Sequence, residues 1–482
     1  PNPDPQKSWS ERNRLFKLKR SQWTDYQEIT AGGGVFDRSA KEIKCSKEMK
    51  SLLNITDSII SGEDLVKAIL MSSVDLIWFG GIGTYIKSDT ETHIDAADPA
   101  NNSVRINASQ LNSSVISEGA NLAITQKGRI EFDLNGGQIN TDAIDNSAGV
   151  NMSDYEVNIK ILLSTLQKNG VIKNETSRNK ILHDATDEVT DLVLKNNISQ
   201  HHLITMDQYR SIHQPHLIEN TISTLIKDGD LNPHDEQFPL SKARQELYKQ
   251  KRSLPRPVLA KCQAYTKMKL KIHLTNSTLF SGSIYDQLFY EYFPASIQSL
   301  ISPAQLPDHR LKQEIIITEL TNYFVGIFGC ASFDLITCSN QVALDQAIHH
   351  LVIIEQLFKL EVKRDECFAQ ISKPDSLNLI LTTNSQVLEL ILVLSLLNVT
   401  LTTESIQDYK KLIKTHKRYS NYLPIFGFLF NQKNPTSIVK KLDQLDRYFN
   451  ILYTLEQLSQ LVTTTKQTQQ QKQYLLSDLY YF

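Results

Sequence analysis

Residues 74–80, VDLIWFG, form a short and nearly continuous apolar run that ends on a glycine. A run of that length suits a strand buried on both faces, as in a parallel sheet. The residues before it support this reading. GEDLVKAILM (Gly62–Met71) sets Leu65, Ala68, Ile69 and Leu70 at helical spacing behind Glu63 and Asp64, acids suited to a helix N-terminus. A helix, two serines and a buried strand in succession predict an α/β arrangement, with ligand-facing loops at the strand ends.

Working outward, the pattern repeats. NASQL from Asn107 reads as a short helix, and SVIS as a strand ending at Glu118. GRIEFDLNGGQIN then alternates Ile130, Phe132 and Leu134 before Asn-Gly-Gly, the signal for a hairpin. GGIG (Gly80–Gly83), EGAN (Glu118–Asn121) and the polar stretch INTDAIDNSAGVNMSDYEVN (Ile139–Asn158) all fall at strand ends.

From Asp154 helices dominate. Val157, Ile161 and Leu162 lead one that Gly170 can stop, and Ile181, Leu182, Ala185, Val189, Leu192 and Val193 form the next stripe. Leu311–Ile327 and Leu344–Phe358 carry two more. Pro233, Pro239, Pro255 and Pro257 mark residues 229–257 as a linker. The expected division is therefore 1–155 for the sheet domain, 156–228 for helices packing back on it, 229–257 for a linker and 258–482 for a helical domain. The tail Thr463–Gln473 is low in complexity.

With 51 basic and 53 acidic residues among 482, net charge −2, no global field draws the chain to nucleic acid or an anionic membrane. The apolar window Val387–Val399 is broken by Glu389, Ser395 and Asn398 and is shorter than the ~20 residues of a membrane helix. Five cysteines (Cys45, Cys262, Cys330, Cys338, Cys367) lack a CxxC pair, which points away from a zinc site or disulfide framework and fits the cytoplasm. The paired histidines His201–His202 and His349–His350 lack cysteine or carboxylate company, so no metal site is expected. The basic run Tyr409–Tyr419 suits a solvated helix face.

The polar stretch admits two readings. Ser153-x-x-Glu156 before an apolar stripe is a capping box, which accounts for those two residues. It leaves Asn146, Ala148, Gly149 and Val150 unexplained, and a helix N-terminus at a strand-end crevice also offers amides and a positive dipole to an anion.

EGANLAIT followed by TDAIDNSAGVNMSDYE resembles the cofactor-domain signature of the glutamate dehydrogenase superfamily, with Asn146, Gly149, Val150, Ser153 and Glu156 in register. DLIWFGGIGTYIKSDTETH, GRIEF, GGQINTDAIDNSAGV and EVNIKILL look more closely like the large, NAD-specific bacterial glutamate dehydrogenases. RPVLAKCQAYTKMKL, EYFP and HRLKQEIIITELTNYFV resemble that family's helical C-terminal region. The resemblance implies the second half of a Rossmann-like, doubly wound NAD-binding sheet followed by a mostly α-helical domain.

It also implies roles. Asn121 and Asn146 would approach the nicotinamide end of NAD, and Gly80, Gly81 and Gly83 would let the backbone come close to the cofactor. Val150 and Ser153 would contact the glutamate side chain, Ser153 donating to its distal carboxylate. Asp154 departs from the tyrosine of many superfamily members. No GxGxxG occurs, and neither the family's catalytic lysine nor its aspartate is found, so no catalytic residue is assigned in this span. Pro1 falls inside the nucleotide domain of the resembled family. The expectation is thus the C-terminal portion of an enzyme that converts L-glutamate to 2-oxoglutarate and ammonia, partnered by a missing N-terminal part and forming a homo-oligomer. The alternative is a non-catalytic remnant whose helices serve assembly or regulation.

Overall fold

The computed structural model describes residues 4–277, 280, 282–302, 308–337, 342–358, 360–369 and 376–396. The low-complexity tail, the basic run at 409–419, Cys338 and the last residues of the apolar window lie outside them. In chain order the first elements are α1 (Pro5–Lys17), β1 (Ile43–Lys44), α2 (Lys47–Leu53), β2 (Ile59–Ile60), α3 (Gly62–Leu70), β3 (Leu76–Phe79), β4 (Ile86–Lys87), β5 (Ile106–Asn107) and β6 (Val115–Glu118). Helices follow: α4 (Gln126–Leu134), α5 (Asp142–Asp145), α6 (Ser147–Lys168), α7 (Glu175–Asp184), α8 (Thr186–His213), α9 (Pro215–Lys227) and α10 (Ser241–Lys249). The remainder are α11 (Arg256–Thr275), α12 (Ser283–Tyr292), α13 (Ala295–Gln298), α14 (Lys312–Phe328), α15 (Ser332–Thr337), α16 (Leu344–Phe358), α17 (Leu360–Phe368) and α18 (Ser376–Leu396).

The chain divides into two compact units, one of residues 1–153 with 232–261 and one of 154–231 with 262–482. In the first, Ser61 caps α3 by accepting the Asp64 N–H, and of the expected stripe Leu65, Ala68 and Leu70 turn inward while Ile69 is exposed. β3 runs parallel to β6, with Leu76, Ile77, Trp78 and Phe79 opposite Val115, Ile116, Ser117 and Glu118. β4 and β5 form a second parallel pair and β1 and β2 an antiparallel one. Leu70, Phe79, Ile86, Ile106, Ile116, Ile124 and Phe132 close the core beneath these strands.

The expected hairpin is corrected. GRIEF lies in α4, which starts on Thr125, whose hydroxyl accepts the Gly128 N–H. Ile130 and Leu134 are four apart, so the spacing that imitates a strand also fits a helix. Asn135 and Gly136 (φ +98°) end that helix instead of turning a hairpin. The segment expected as a linker holds α10, and Arg252 donates to the Leu134 carbonyl at the end of α4 (2.7 Å).

The second unit is helical. The stripe from Ile181 to Val193 spans two helices, α7 and α8, with Ala185 between them. Leu162, Leu163, Ile204, Ile218, Ile222, Phe289, Phe324 and Phe328 are fully buried in it. Among the described residues no helix is long and apolar enough to cross a membrane.

Candidate functional site

β3 delivers the chain into Gly80–Gly83. A crevice of about 290 Å³ opens there between α3 and the strand end, lined by Val66, Ile69, Leu70, Trp78, Phe79, Tyr85 and the exposed Gly80 and Gly81. The Trp78 ring lies where a side chain on Gly80 would sit, whereas nothing lies within 4 Å of the position a Cβ would take at Gly81. Gly83 has φ +139°, and a Cβ there would come within 2.6 Å of the Asn101 amide nitrogen. Only glycine suits that position.

β6 delivers EGAN. Glu118 is fully buried and binds Arg129 of α4 through both oxygens, at 2.6 Å from Nε and 2.9 Å from Nη2. Arg129 Nη2 also lies 3.3 Å from Asp142. Burial pushes the Glu118 carboxyl up, with the guanidinium opposing it, and the net shift is upward. Burial works against the Arg129 charge, but Glu118 and Asp142 more than offset it, and its pKa rises.

The carboxylates of the polar stretch then hold the strand end. Asp145 accepts the Glu118 N–H (2.9 Å) and Asp142 the Leu122 N–H (2.9 Å), beside a Leu122 backbone at φ +65°. Asn121 is thereby presented at the surface, where its Oδ1 accepts from the Asn146 amide at 2.7 Å. The two amides expected to act together do meet.

Val150 and Ser153 lie on the first turns of α6, and both are exposed. The capping-box expectation is corrected: α6 starts at Ser147, so Ser153 and Glu156 lie inside it. The Ser153 hydroxyl bonds back to the Gly149 carbonyl (3.2 Å), and Glu156 pairs with Lys160 one turn on. Ser153 is accordingly not needed as a cap.

Arg129, Asp142, Asp145 and Arg256 were not singled out by the sequence. Arg256 Nε donates to Asn140 (2.8 Å), whose amide donates to Asp145 (3.0 Å). The Arg256 N–H donates to Asp133 (3.0 Å). Glu118 and the three acids Asp133, Asp142 and Asp145 were visible as composition, but their basic partners stand elsewhere in the chain.

Burial pushes the Asp133 carboxyl up to about 6 despite the neighbouring Arg256 and Arg252. A raised folded-state pKa means stability that is fully present below the unfolded value, near 4, and lost as pH rises through about 6. Asp133→Asn mimics the neutral acid and keeps an acceptor for Arg256. It is expected to be more stable than the parent at neutral pH, by on the order of 2 kcal/mol, and equal to it near pH 4. Urea midpoints at the two pH values measure this; an unchanged gap would refute it.

The family profile for "Bacterial NAD-glutamate dehydrogenase, catalytic domain" matches residues 1–207, and that for "Glutamate dehydrogenase, C-terminal" matches residues 251–377. The chain is 39% identical over 337 residues to the NAD-specific glutamate dehydrogenase of Mycobacterium tuberculosis, covering 68% of this chain and 21% of that one. It is 38% identical over 362 residues to the enzyme of the same name from Pseudomonas aeruginosa (75% and 22%), and 38% over 331 to that of Halomonas elongata (68% and 20%). An α/β unit with paired amides at a strand end, continued by helices, thus falls in the glutamate dehydrogenase class of oxidoreductases. Within that class, the chain belongs to the bacterial NAD-specific glutamate dehydrogenases, and it spans about a fifth of the length of the curated relatives it matches.

Proposed function

We propose that this chain is the C-terminal portion of a cytoplasmic, homo-oligomeric NAD-dependent glutamate dehydrogenase, which converts L-glutamate and water to 2-oxoglutarate and ammonia. The observation that carries the reading is the Asn121–Asn146 amide pair, held at the end of β6 by Asp142 and Asp145 next to the start of α6. We read β3 and β6 as part of a doubly wound, Rossmann-like sheet.

The residues suit a nicotinamide. Two side-chain amides 2.7 Å apart keep donors and acceptors beyond their mutual bond, enough for a carboxamide and a ribose hydroxyl. Gly80, Gly81 and Gly83 permit close backbone approach at the neighbouring strand end. Bound NAD supplies the hydride acceptor. Asn121 and Asn146 orient it, Val150 gives an apolar contact to the substrate's methylenes, and the Ser153 hydroxyl turns from Gly149 to donate to the distal carboxylate. The proton-transferring groups belong to the N-terminal part.

Ser153→Val, in the dehydrogenase assembled with that part, is expected to raise the KM for glutamate about tenfold or more through the lost charge-assisted hydrogen bond, and to leave the KM for NAD unchanged. Steady-state rates of NADH formation decide it. Equal losses for both substrates would remove Ser153 from the site, and no glutamate-dependent NADH in the parent would remove the function.

A further inference from the structure

α14 is apolar on nearly every side. Ile315, Ile316, Leu320, Phe324 and Phe328 are buried, and Glu319 is the single charged residue between Ile315 and Phe328. A carboxylate in such a helix costs free energy unless something satisfies it. Tyr323, one turn on, donates to Glu355 at 2.5 Å, so that neighbouring acid is satisfied. Glu319 makes no hydrogen bond or ion pair among the described residues, and neither does Lys267 of α11. Lys269, two residues on, is by contrast held by Asp228 and Asp230, each at 2.6 Å. The Glu319 charge acts on Lys267, Tyr155 and Tyr292 alike, which gathers side chains of α6, α11, α12 and α14 around one space in the helical unit. Tyr155 and Tyr292 stack at 4.8 Å and form an aromatic wall. All four side chains are half-buried, so a small molecule reaches them from solvent.

These surroundings tune both groups. Burial lowers Lys267 to about 8, with Glu319 opposing it, and raises Glu319 to about 7, helped by Glu361 of α17 and opposed by Lys267. A partly neutral amine beside a partly protonated carboxyl is a nucleophile with an acid at hand. We propose that Lys267 forms an imine with an uncharged aldehyde, Glu319 being the proton donor. The neutral Nζ adds to the carbonyl carbon, the C=O π pair moves to oxygen, and a proton passes from nitrogen to that oxygen. The Glu319 carboxyl then protonates the resulting hydroxyl, which leaves as water while the nitrogen lone pair closes the C=N bond. Amine and aldehyde thus give a protonated imine and water, and the Glu319 carboxylate left behind offsets the imine's charge. Charge also selects the aldehyde. Glu319 and Glu361, with Asp154 beyond Tyr292, repel an anionic 2-oxo acid, whereas the tyrosine rings accept an apolar chain.

The test is reductive trapping in the full chain at neutral pH, with butanal as probe, sodium cyanoborohydride as trap and peptide mass spectrometry to map the adducts. Lys271, exposed on α11 one turn beyond Lys267, is the internal control. Lys267 is expected to be alkylated about tenfold faster than Lys271 or more, because its larger neutral fraction outweighs its lower intrinsic nucleophilicity. Glu319→Gln, close in shape to the parent, is expected to slow trapping at Lys267 about tenfold and to leave Lys271 unchanged. Glyoxylate, an anionic aldehyde, is expected to show no preference for Lys267. Equal rates at the two lysines with butanal overturn the proposal. Full speed at Lys267 in a Glu319→Gln chain that keeps its far-UV circular dichroism removes Glu319 from the step, and a glyoxylate preference equal to that for butanal removes the selection for an uncharged aldehyde. The butanal and glyoxylate comparisons use the unaltered chain, so they decide the matter even where Glu319→Gln fails to fold. None of these readings depends on NADH formation, so the reaction proposed above stands or falls separately.

Discussion

Arg129→Met is expected to destabilise the first unit by about 3–5 kcal/mol, the cost of leaving one partner of a buried ion pair without the other. Glu118 has no exposed surface and Arg129 retains 4%. Its two short bonds to Glu118 and its contact with Asp142 compensate a carboxylate that burial already drives toward protonation. Methionine keeps much of the volume and removes all three interactions. In the variant Glu118 must take up a proton to stay buried, so the loss is expected to narrow as pH falls toward the carboxylate range. Glu118→Gln, which keeps an acceptor for the guanidinium, is expected to cost less. Urea unfolding followed by tryptophan fluorescence is the suitable measurement, because Trp9, Trp23 and Trp78 all lie in this unit. A loss below about 1 kcal/mol would show the pair to be replaceable by apolar packing.

The same substitution tests how the loop works. Asp142 contacts both Arg129 and the Leu122 N–H, so freeing it loosens the turn that presents Asn121 to Asn146. Stability of the unit and the geometry of the amide pair thus depend on one buried cation.

What the sequence made legible follows from distance along the chain. The α3–β3 succession could be read because its signals are local: a serine cap, acids in the first turn, then an apolar run; the expected burial of that run on both faces is corrected, since Leu76 and Trp78 are exposed. GRIEF was misread because Ile130, Phe132 and Leu134 satisfy a two-residue period, although Thr125 and Asn-Gly-Gly bracket a helix equally well. The start of α6 was misplaced for a different reason. Ser147, Gly149 and Asn151 are weak helix formers, so the apolar stripe appeared to begin only after Ser153. The meeting of Asn121 and Asn146 was anticipated from resemblance, but nothing local marks Arg129 as the partner of Glu118 or Asp142 as the acceptor for Leu122. Such pairings are made by the fold, and a one-dimensional pattern carries no record of them.

The helical unit contains a second buried charge pair, and Asp207→Ala is expected to cost about 3–5 kcal/mol there. Asp207 and Arg210 of α8 are both buried, 2.7 Å apart. The second Asp207 oxygen accepts the Cys330 N–H (2.8 Å) and the Gln263 amide (2.9 Å), while Arg210 also donates to the Phe328 carbonyl (2.6 Å). One carboxylate therefore joins α8 and α11 to the turn that ends α14. That turn passes through Gly329 at φ +75°, ψ −163°, where a Cβ would collide with both Asp207 and Arg210; glycine is what lets the pair approach the backbone. Alanine at 207 strands the guanidinium, whose Nε has no partner among the described residues, together with two donors, the Cys330 N–H and the Gln263 amide, that lose their acceptor. Asp207→Asn, which keeps an acceptor for the backbone, is expected to lose less but still leaves the cation uncompensated. Far-UV circular dichroism during urea unfolding reads this unit through its helices. A shift of less than about 1 kcal/mol would mean that Arg210 reaches solvent or another acceptor, and that Asp207 is not what closes the α14 turn.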